Sequence, residues 1–136
     1  MKQLIVTAGF IREDERVLIA QRRAADREGG KWEFPGGKVE LGEDPRQAMA
    51  RELDEELGIK VTVGRILDVV SEVQGNLQLL LLYFECRIEA GEPRPVECQA
   101  VRWSTVAEVD AVEKPAADTR FWSKFRQILL SQPIMN

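Results

Sequence analysis

Histidine is missing altogether from these 136 residues. Its absence removes Ser-His-Asp and Cys-His catalysis, the usual zinc hydrolase ligand sets and any imidazole general base. Cysteine is nearly as scarce. Cys86 and Cys98 are too few and too isolated for a disulfide framework or a Cys-rich zinc centre, so both read as reduced thiols. No apolar run approaches a membrane span, and "MKQLIVTAGFIRED" turns charged too early for a signal peptide. A cytoplasmic protein without a membrane partner is expected. Positive charge is in deficit, with 19 Lys and Arg against 23 Asp and Glu and a net charge of -4. That balance argues against stable nucleic-acid binding, because nothing offsets the phosphate field globally. There is no internal repeat and no low-complexity linker. Chemistry must therefore rest on carboxylates, Lys, Arg, Tyr or a metal held by oxygen.

The length suits one domain, taken as residues 1–136, with one moderate core. "LIVTAGFI" and "RVLIAQR" are rich in β-branched and aliphatic residues, and "REDE" between them suits a hairpin turn. "ADREGGKWEFPGGK" reads as a Gly-rich loop around a short extended piece at Trp32–Phe34. "DPRQAMARELDEELG" carries helix punctuation: Asp44 at the N-cap, Pro45 at the first helical position, Gln47 at the reciprocal capping position and Gly58 as the stop. "IKVTVGRILDVVSEV" and "LQLLLLYFECRIEAG" read as long strands forming a hairpin across Gly75-Asn76. "ECQAVRW" reads as another strand and "STVAEV" as a helical turn capped by Ser104. "ADTRFWSKFRQILLSQ" closes the chain as an amphipathic helix with Phe121, Phe125, Ile128 and Leu129 on one face. This order predicts an α+β fold, a mixed β-sheet covered by helices.

The central helix is dense in carboxylates. At about 100° per residue, Glu52, Glu55 and Glu56 share one arc, while Ala50, Leu53 and Leu57 form a separate burial face. A solvated acidic face is the ordinary reading of such a helix. Two details favour a site. The glutamates lie toward the C-terminal half, where the helix dipole disfavours negative charge. The preceding Gly-rich loop also brings exposed backbone beside them. Oxygen-only ligands select hard ions, Mg²⁺ or Mn²⁺, and such ions bind substrate phosphates.

The stretch from Gly37 to Ile59 resembles the signature of the Nudix hydrolases: Gly, five residues, Glu, seven residues, then Arg-Glu-aliphatic-any-Glu-Glu-any-Gly-aliphatic. Here these are Gly37, Glu43 and Arg51-Glu52-Leu53-Asp54-Glu55-Glu56-Leu57-Gly58-Ile59. The resemblance implies an α/β/α sandwich and Mg²⁺- or Mn²⁺-dependent hydrolysis of a nucleoside diphosphate linked to another moiety. It makes Glu52, Glu55 and Glu56 the metal ligands, one of them also orienting or deprotonating water, with the Gly36 carbonyl beside them. Arg51 would hold Glu55, four residues on, and Glu43 would brace Arg51, although Glu43 also suits a helix start. Lys38 is either a phosphate contact or a solvated loop lysine.

The pieces "QRRAAD", "KWEFPGGKVE", "ECQAVRW" and "PAAD" resemble the MutT-type group of nucleoside triphosphate pyrophosphohydrolases. That likeness places Arg23 on the nucleotide, Glu97 at the metal and the Phe34 backbone along the base edge. It also places Asp118 at the base, though Asp118 equally suits an N-cap for the last helix. An oxidised purine such as 8-oxo-dGTP is the substrate implied first. CTP or 5-methyl-dCTP is the neighbouring choice. A Nudix-fold nucleotide sensor without catalysis is disfavoured by the intact glutamates, and an RNA end-processing enzyme by the charge balance.

Overall fold

A computed structural model describes residues 1–131, without the Leu129 side chain. The elements are β1 (Lys2–Glu13), β2 (Arg16–Gln21), β3 (Trp32–Glu33), β4 (Gly36–Lys38), α1 (Pro45–Leu57), β5 (Lys60–Gln74), β6 (Leu77–Ala90), β7 (Ala100–Ser104), α2 (Val106–Ala111) and α3 (Ala116–Ser131). The sheet is mixed. β1 runs parallel to β6, from Lys2 opposite Leu77 to Ile11 opposite Cys86, and antiparallel to β4 and β2. β2 is flanked by β3 and β7, and β5 pairs antiparallel with β6 at the outer edge.

Strand alternation divides the apolar residues between two faces. Phe10, Ile19 and Tyr83 point into a cluster with Val109, Phe121 and Trp122 from α2 and α3. Their neighbours Ile11, Leu18 and Phe84 point the other way, into a cluster with Met49, Leu53 and Leu57 of α1. The result is an α/β/α sandwich. Among the described residues no helix is long and apolar enough to cross a membrane. Both cysteines are free and buried, and burial pushes their thiols up, to about 12 for Cys86 and about 11 for Cys98.

The two expected hairpins form. Asp14 and Gly75 supply the left-handed conformations at their turns, with φ of 55° and 58°. Other expectations shift for local reasons. The burial face of α1 is Ala48, Met49, Leu53 and Leu57 rather than one including Ala50, because Met49 packs into the space left by Gly9. Glu56 is buried on that face too, so carboxylates and burial face do not separate cleanly. The Asp44 side chain accepts from the Arg46 N–H at 2.8 Å, but Gln47 is exposed and makes no reciprocal bond. Strand pairing of Ser104 with Val17 carries β7 one residue further than expected. Thr105 then caps α2 in a capping box with Glu108. The expected strand from Glu97 begins only at Ala100, because the Glu97 N–H is taken by the Glu56 carbonyl at the end of α1. On α3, Phe121 is buried and Phe125 half-buried, but Ile128 is 54% exposed, and near the helix end it is Leu130 that packs against the core. The expected last helical residue, Gln132, and the Leu129 side chain lie outside the described residues.

Candidate active site

Arg51 is the hub of the acidic helix. Its guanidinium donates to both oxygens of Glu43, at 2.7 and 2.9 Å. It also donates to Glu52 at 3.0 Å, to Glu55 at 3.2 Å and to the Lys38 carbonyl at 3.0 Å. Glu43 itself accepts from the Glu40 N–H. Hydrogen bonding by Arg51, then by Glu40, holds the Glu43 carboxyl down at about 2. Arg51 is itself pushed above its ordinary range, chiefly by Glu43. One cation thus fixes the loop before α1 and two carboxylates on it. Glu43 braces Arg51 through paired, charge-assisted bonds rather than merely decorating a helix start.

Glu56 differs. Its carboxylate is 9% exposed and accepts no hydrogen bond from the described residues. Burial, and then the charges of Glu33 and Glu52, push it up to about 8. Burial also raises Glu52, against the pull of Arg51. Glu97 is exposed, but its N–H donates to the Glu56 carbonyl at 3.2 Å, which fastens its loop to the end of α1 and adds a further negative charge near Glu52 and Glu56. Arg23 lies on the same side, exposed, donating to the Val96 carbonyl at 3.2 Å.

The two glycines are held on β1, Gly37 opposite Thr7 and Gly36 opposite Ala8. A methyl group on Gly37 would overlap the Glu52 carboxylate, lying 2.7 Å from its Oε1 and nearer still to Oε2. This is a cradle that only glycine leaves open. It puts the Gly36–Gly37 backbone directly beside the carboxylate-rich helix α1. Among the described residues no three carboxylates converge on one point as they stand, since Arg51 draws Glu52 and Glu55 to itself. The donor set nevertheless fits a hard divalent cation: oxygen only, surplus negative charge, and a largely buried carboxylate, Glu56, pressed by the charges of Glu33, Glu52 and Glu97.

Beside this array lies a cavity of about 320 Å³. Leu4, Val6, Leu79 and Leu81 form its apolar wall, and Gly36, Gly37 and Lys38 its rim toward Arg51 and Glu52. Phe34 and Asp118 lie at its polar end. Asp118 is 3% exposed in the first turn of α3. It does not cap the helix. Its Oδ1 accepts from the Tyr83 hydroxyl at 2.6 Å and its Oδ2 from the Phe34 N–H at 3.2 Å. Burial, then the charge of Glu33, push its carboxyl up to about 7.

A Nudix-domain family model matches residues 1–125. The chain belongs to the Nudix family. An 8-oxo-dGTP diphosphatase of Escherichia coli is 33% identical over 94% of this chain and all of its own length. A CTP pyrophosphohydrolase of the same species is 37% identical over 98% of both chains. The solution structure of the E. coli ORF135 protein superposes with a TM-score of 0.82 at 34% identity, over 99% of this chain and 96% of its own. The MutT protein of Methanosarcina mazei superposes at 0.83 and 25% identity, over 94% and 96%. This Nudix hydrolase is thus MutT-like in sequence and fold, and Nudix hydrolases act on small nucleotide substrates with divalent metals such as Mg²⁺.

Spacing in the sequence did not reveal Glu33, Arg22 or Tyr83. Arg22 pairs with Glu33 at 3.1 Å, and both line the cavity. Glu33 presses electrostatically on both Glu56 and Asp118. The signal within reach was the "WEF" strand, whose alternation sends Glu33 and Phe34 to opposite sides.

Proposed function

We propose that this Nudix hydrolase is a Mg²⁺-dependent nucleoside triphosphate pyrophosphohydrolase that releases a monophosphate and pyrophosphate, acting on oxidised purine nucleotides such as 8-oxo-dGTP. The observation that carries this reading is the junction of an Arg51-centred carboxylate array with an apolar cavity ending in Asp118. Glu52, Glu55, Glu56 and Glu97, with the Gly36 carbonyl, are the groups that would hold Mg²⁺, or Mn²⁺ in its place. When bound, such an ion neutralises charge on the phosphates and lowers the pKa of bound water. The protein's own part is positional. Arg51 keeps Glu52 and Glu55 from drifting into solvent, and Glu43 keeps Arg51 in place. Lys38 at the rim meets phosphate, and Arg23, beside the Glu97 loop, meets the outer part of the nucleotide. Burial of Glu56 suits a group that holds a proton as water attacks phosphorus.

The base preference follows from Asp118. Burial raises Asp118 to about 7, against which the Tyr83 hydroxyl and the Phe34 N–H favour its ionised form; above that value the carboxylate only accepts. A guanine-type edge offers two adjacent donors, N1–H and the 2-amino group. A cytosine edge offers one amino donor beside acceptors. Identity to the E. coli CTP pyrophosphohydrolase favours the second reading, CTP or 5-methyl-dCTP by the same chemistry. The test is purified protein with Mg²⁺ against 8-oxo-dGTP, dGTP, CTP and 5-methyl-dCTP, resolving pyrophosphate from orthophosphate. Pyrophosphate release fastest from 8-oxo-dGTP is expected. Orthophosphate as first product overturns the reaction, and preference for the cytosine nucleotides overturns the substrate.

A further inference from the structure

We infer that Tyr83 is a positioning residue for base discrimination, holding the Asp118 carboxylate so that its free lone pairs face the cavity; this rests on the base-reading role proposed for Asp118. Tyr83 is the one tyrosine in the chain and is fully buried on the inward face of β6. Its ring stacks on Phe121 at 4.1 Å with a 3° interplanar angle and meets Phe34 edge-on at 6.3 Å. A ring fixed on two sides fixes its hydroxyl. That hydroxyl reaches Asp118 across 35 residues of sequence with a 2.6 Å bond.

The consequence is a count of acceptor sites. Two ionised carboxylate oxygens offer about four lone-pair sites. Tyr83 takes one on Oδ1 and Phe34 one on Oδ2, so each oxygen keeps one for a ligand. Two remaining acceptors, side by side at the cavity end, match two adjacent N–H donors. Without the phenol, Oδ1 would lose its anchor and the carboxylate could turn about its remaining bond. The phenol remains a donor throughout the working range, since burial and then the charge of Asp118 push it well above its ordinary value. Glu33 on β3 and Glu28 in the loop between β2 and β3 face Asp118, and Lys114 precedes it. Asp68 on β5 and Arg120 on α3 face Tyr83. The side-chain donor that anchors Asp118 is the Tyr83 hydroxyl, beside the Phe34 N–H.

The experiment compares kcat/KM for 8-oxo-dGTP and CTP in wild type, Tyr83→Phe, Asp118→Asn and the double variant. A hydrogen bond to a charged group supports an expected loss of about tenfold in the 8-oxo-dGTP:CTP ratio for Tyr83→Phe, carried by KM with kcat nearly constant. In the Asp118→Asn background the same substitution should leave the ratio unchanged. Because only one tyrosine is present, 3-fluorotyrosine labelling places a single fluorine on this ring in the otherwise native protein. Its ¹⁹F resonance should shift on saturation with 8-oxo-dGMP more than with CMP, and lose that difference in Asp118→Asn. If Asp118→Asn changes base preference while Tyr83→Phe does not, or the ¹⁹F resonance ignores both nucleotides, the positioning role is overturned and base reading by Asp118 stands. If Asp118→Asn leaves the preference as in wild type, the base-reading role fails and this inference fails with it.

Discussion

Gly37→Ala separates catalysis from folding. The new methyl would overlap the Glu52 carboxylate, the far end of a flexible side chain. The backbone of Gly37 cannot retreat, because it pairs with Thr7 and its carbonyl accepts from the Thr7 hydroxyl at 3.2 Å. Glu52 must therefore rotate away and release Arg51, which keeps Glu43 and Glu55. The stability cost is one displaced rotamer and one partly buried ion pair, about 1 kcal/mol. For a domain of this size that is roughly 3–5 °C in Tm. Turnover should fall much further, by about 10²–10³, the scale for losing one preorganised charge-stabilising group. Gly36→Ala is the contrast. There the methyl would overlap the Thr7 backbone and lie 2.7 Å from the Thr7 carbonyl carbon, so folding itself should suffer. The assay is pyrophosphate release at saturating Mg²⁺ beside a thermal melt. Near wild-type turnover in a folded Gly37→Ala protein would refute the placement of Glu52 at the reaction centre.

Glu56→Gln should cut turnover by orders of magnitude yet leave the metal-free protein as stable as wild type or more so, because a largely buried carboxylate repelled by Glu33 and Glu52 becomes a neutral amide; a lower Tm would contradict that repulsion. Millimolar Mg²⁺ should raise Tm by binding only the native state, and EDTA should abolish both that rise and the activity; a melt indifferent to Mg²⁺ would count against the oxygen ligand set. Asp118 brings a pH dependence. Its carboxyl lies at about 7 in the fold against an ordinary 3.8, so the native state binds the extra proton in that window. The resulting stability is full below about pH 4 and fades as pH rises through 7, on the order of 2–4 kcal/mol in all. Asp118→Asn should flatten the Tm profile between about pH 4 and 7; an unchanged slope would assign it to another group.

The signature from Gly37 to Ile59 was legible because its chemistry is local: helix spacing puts Glu52 and Glu55 within reach of Arg51, and Asp44 and Gly58 mark the ends. Both hairpins were legible from polar turns between apolar runs, "REDE" in the first and Gly75-Asn76 in the second. The depth of Glu56 was not, since helical angle says nothing about which strand lies above it. Nor was the non-capping role of Asp118, which depends on Tyr83 and Phe34 in two other elements. β3 and β4 are two and three residues long and carry no readable period; partners make them strands. Ile128 fitted the apolar stripe of α3, but periodicity could not tell that Leu130, not Ile128, meets the core near the helix end.

The parallel pairing of β1 with β6 has a consequence for biosynthesis. Gln3 meets Gln78, 75 residues later in the chain. A nascent chain therefore displays β1, with its buried run from Thr7 to Ile11, well before its main partner strand has been translated. Only the short β2 and β4 contacts are available to it meanwhile. The central strand of the finished sheet is thus, during translation, an unshielded apolar edge and a natural client for a ribosome-associated holdase. Closing a loop of that span also places the protein among the slower folders, whatever its final stability.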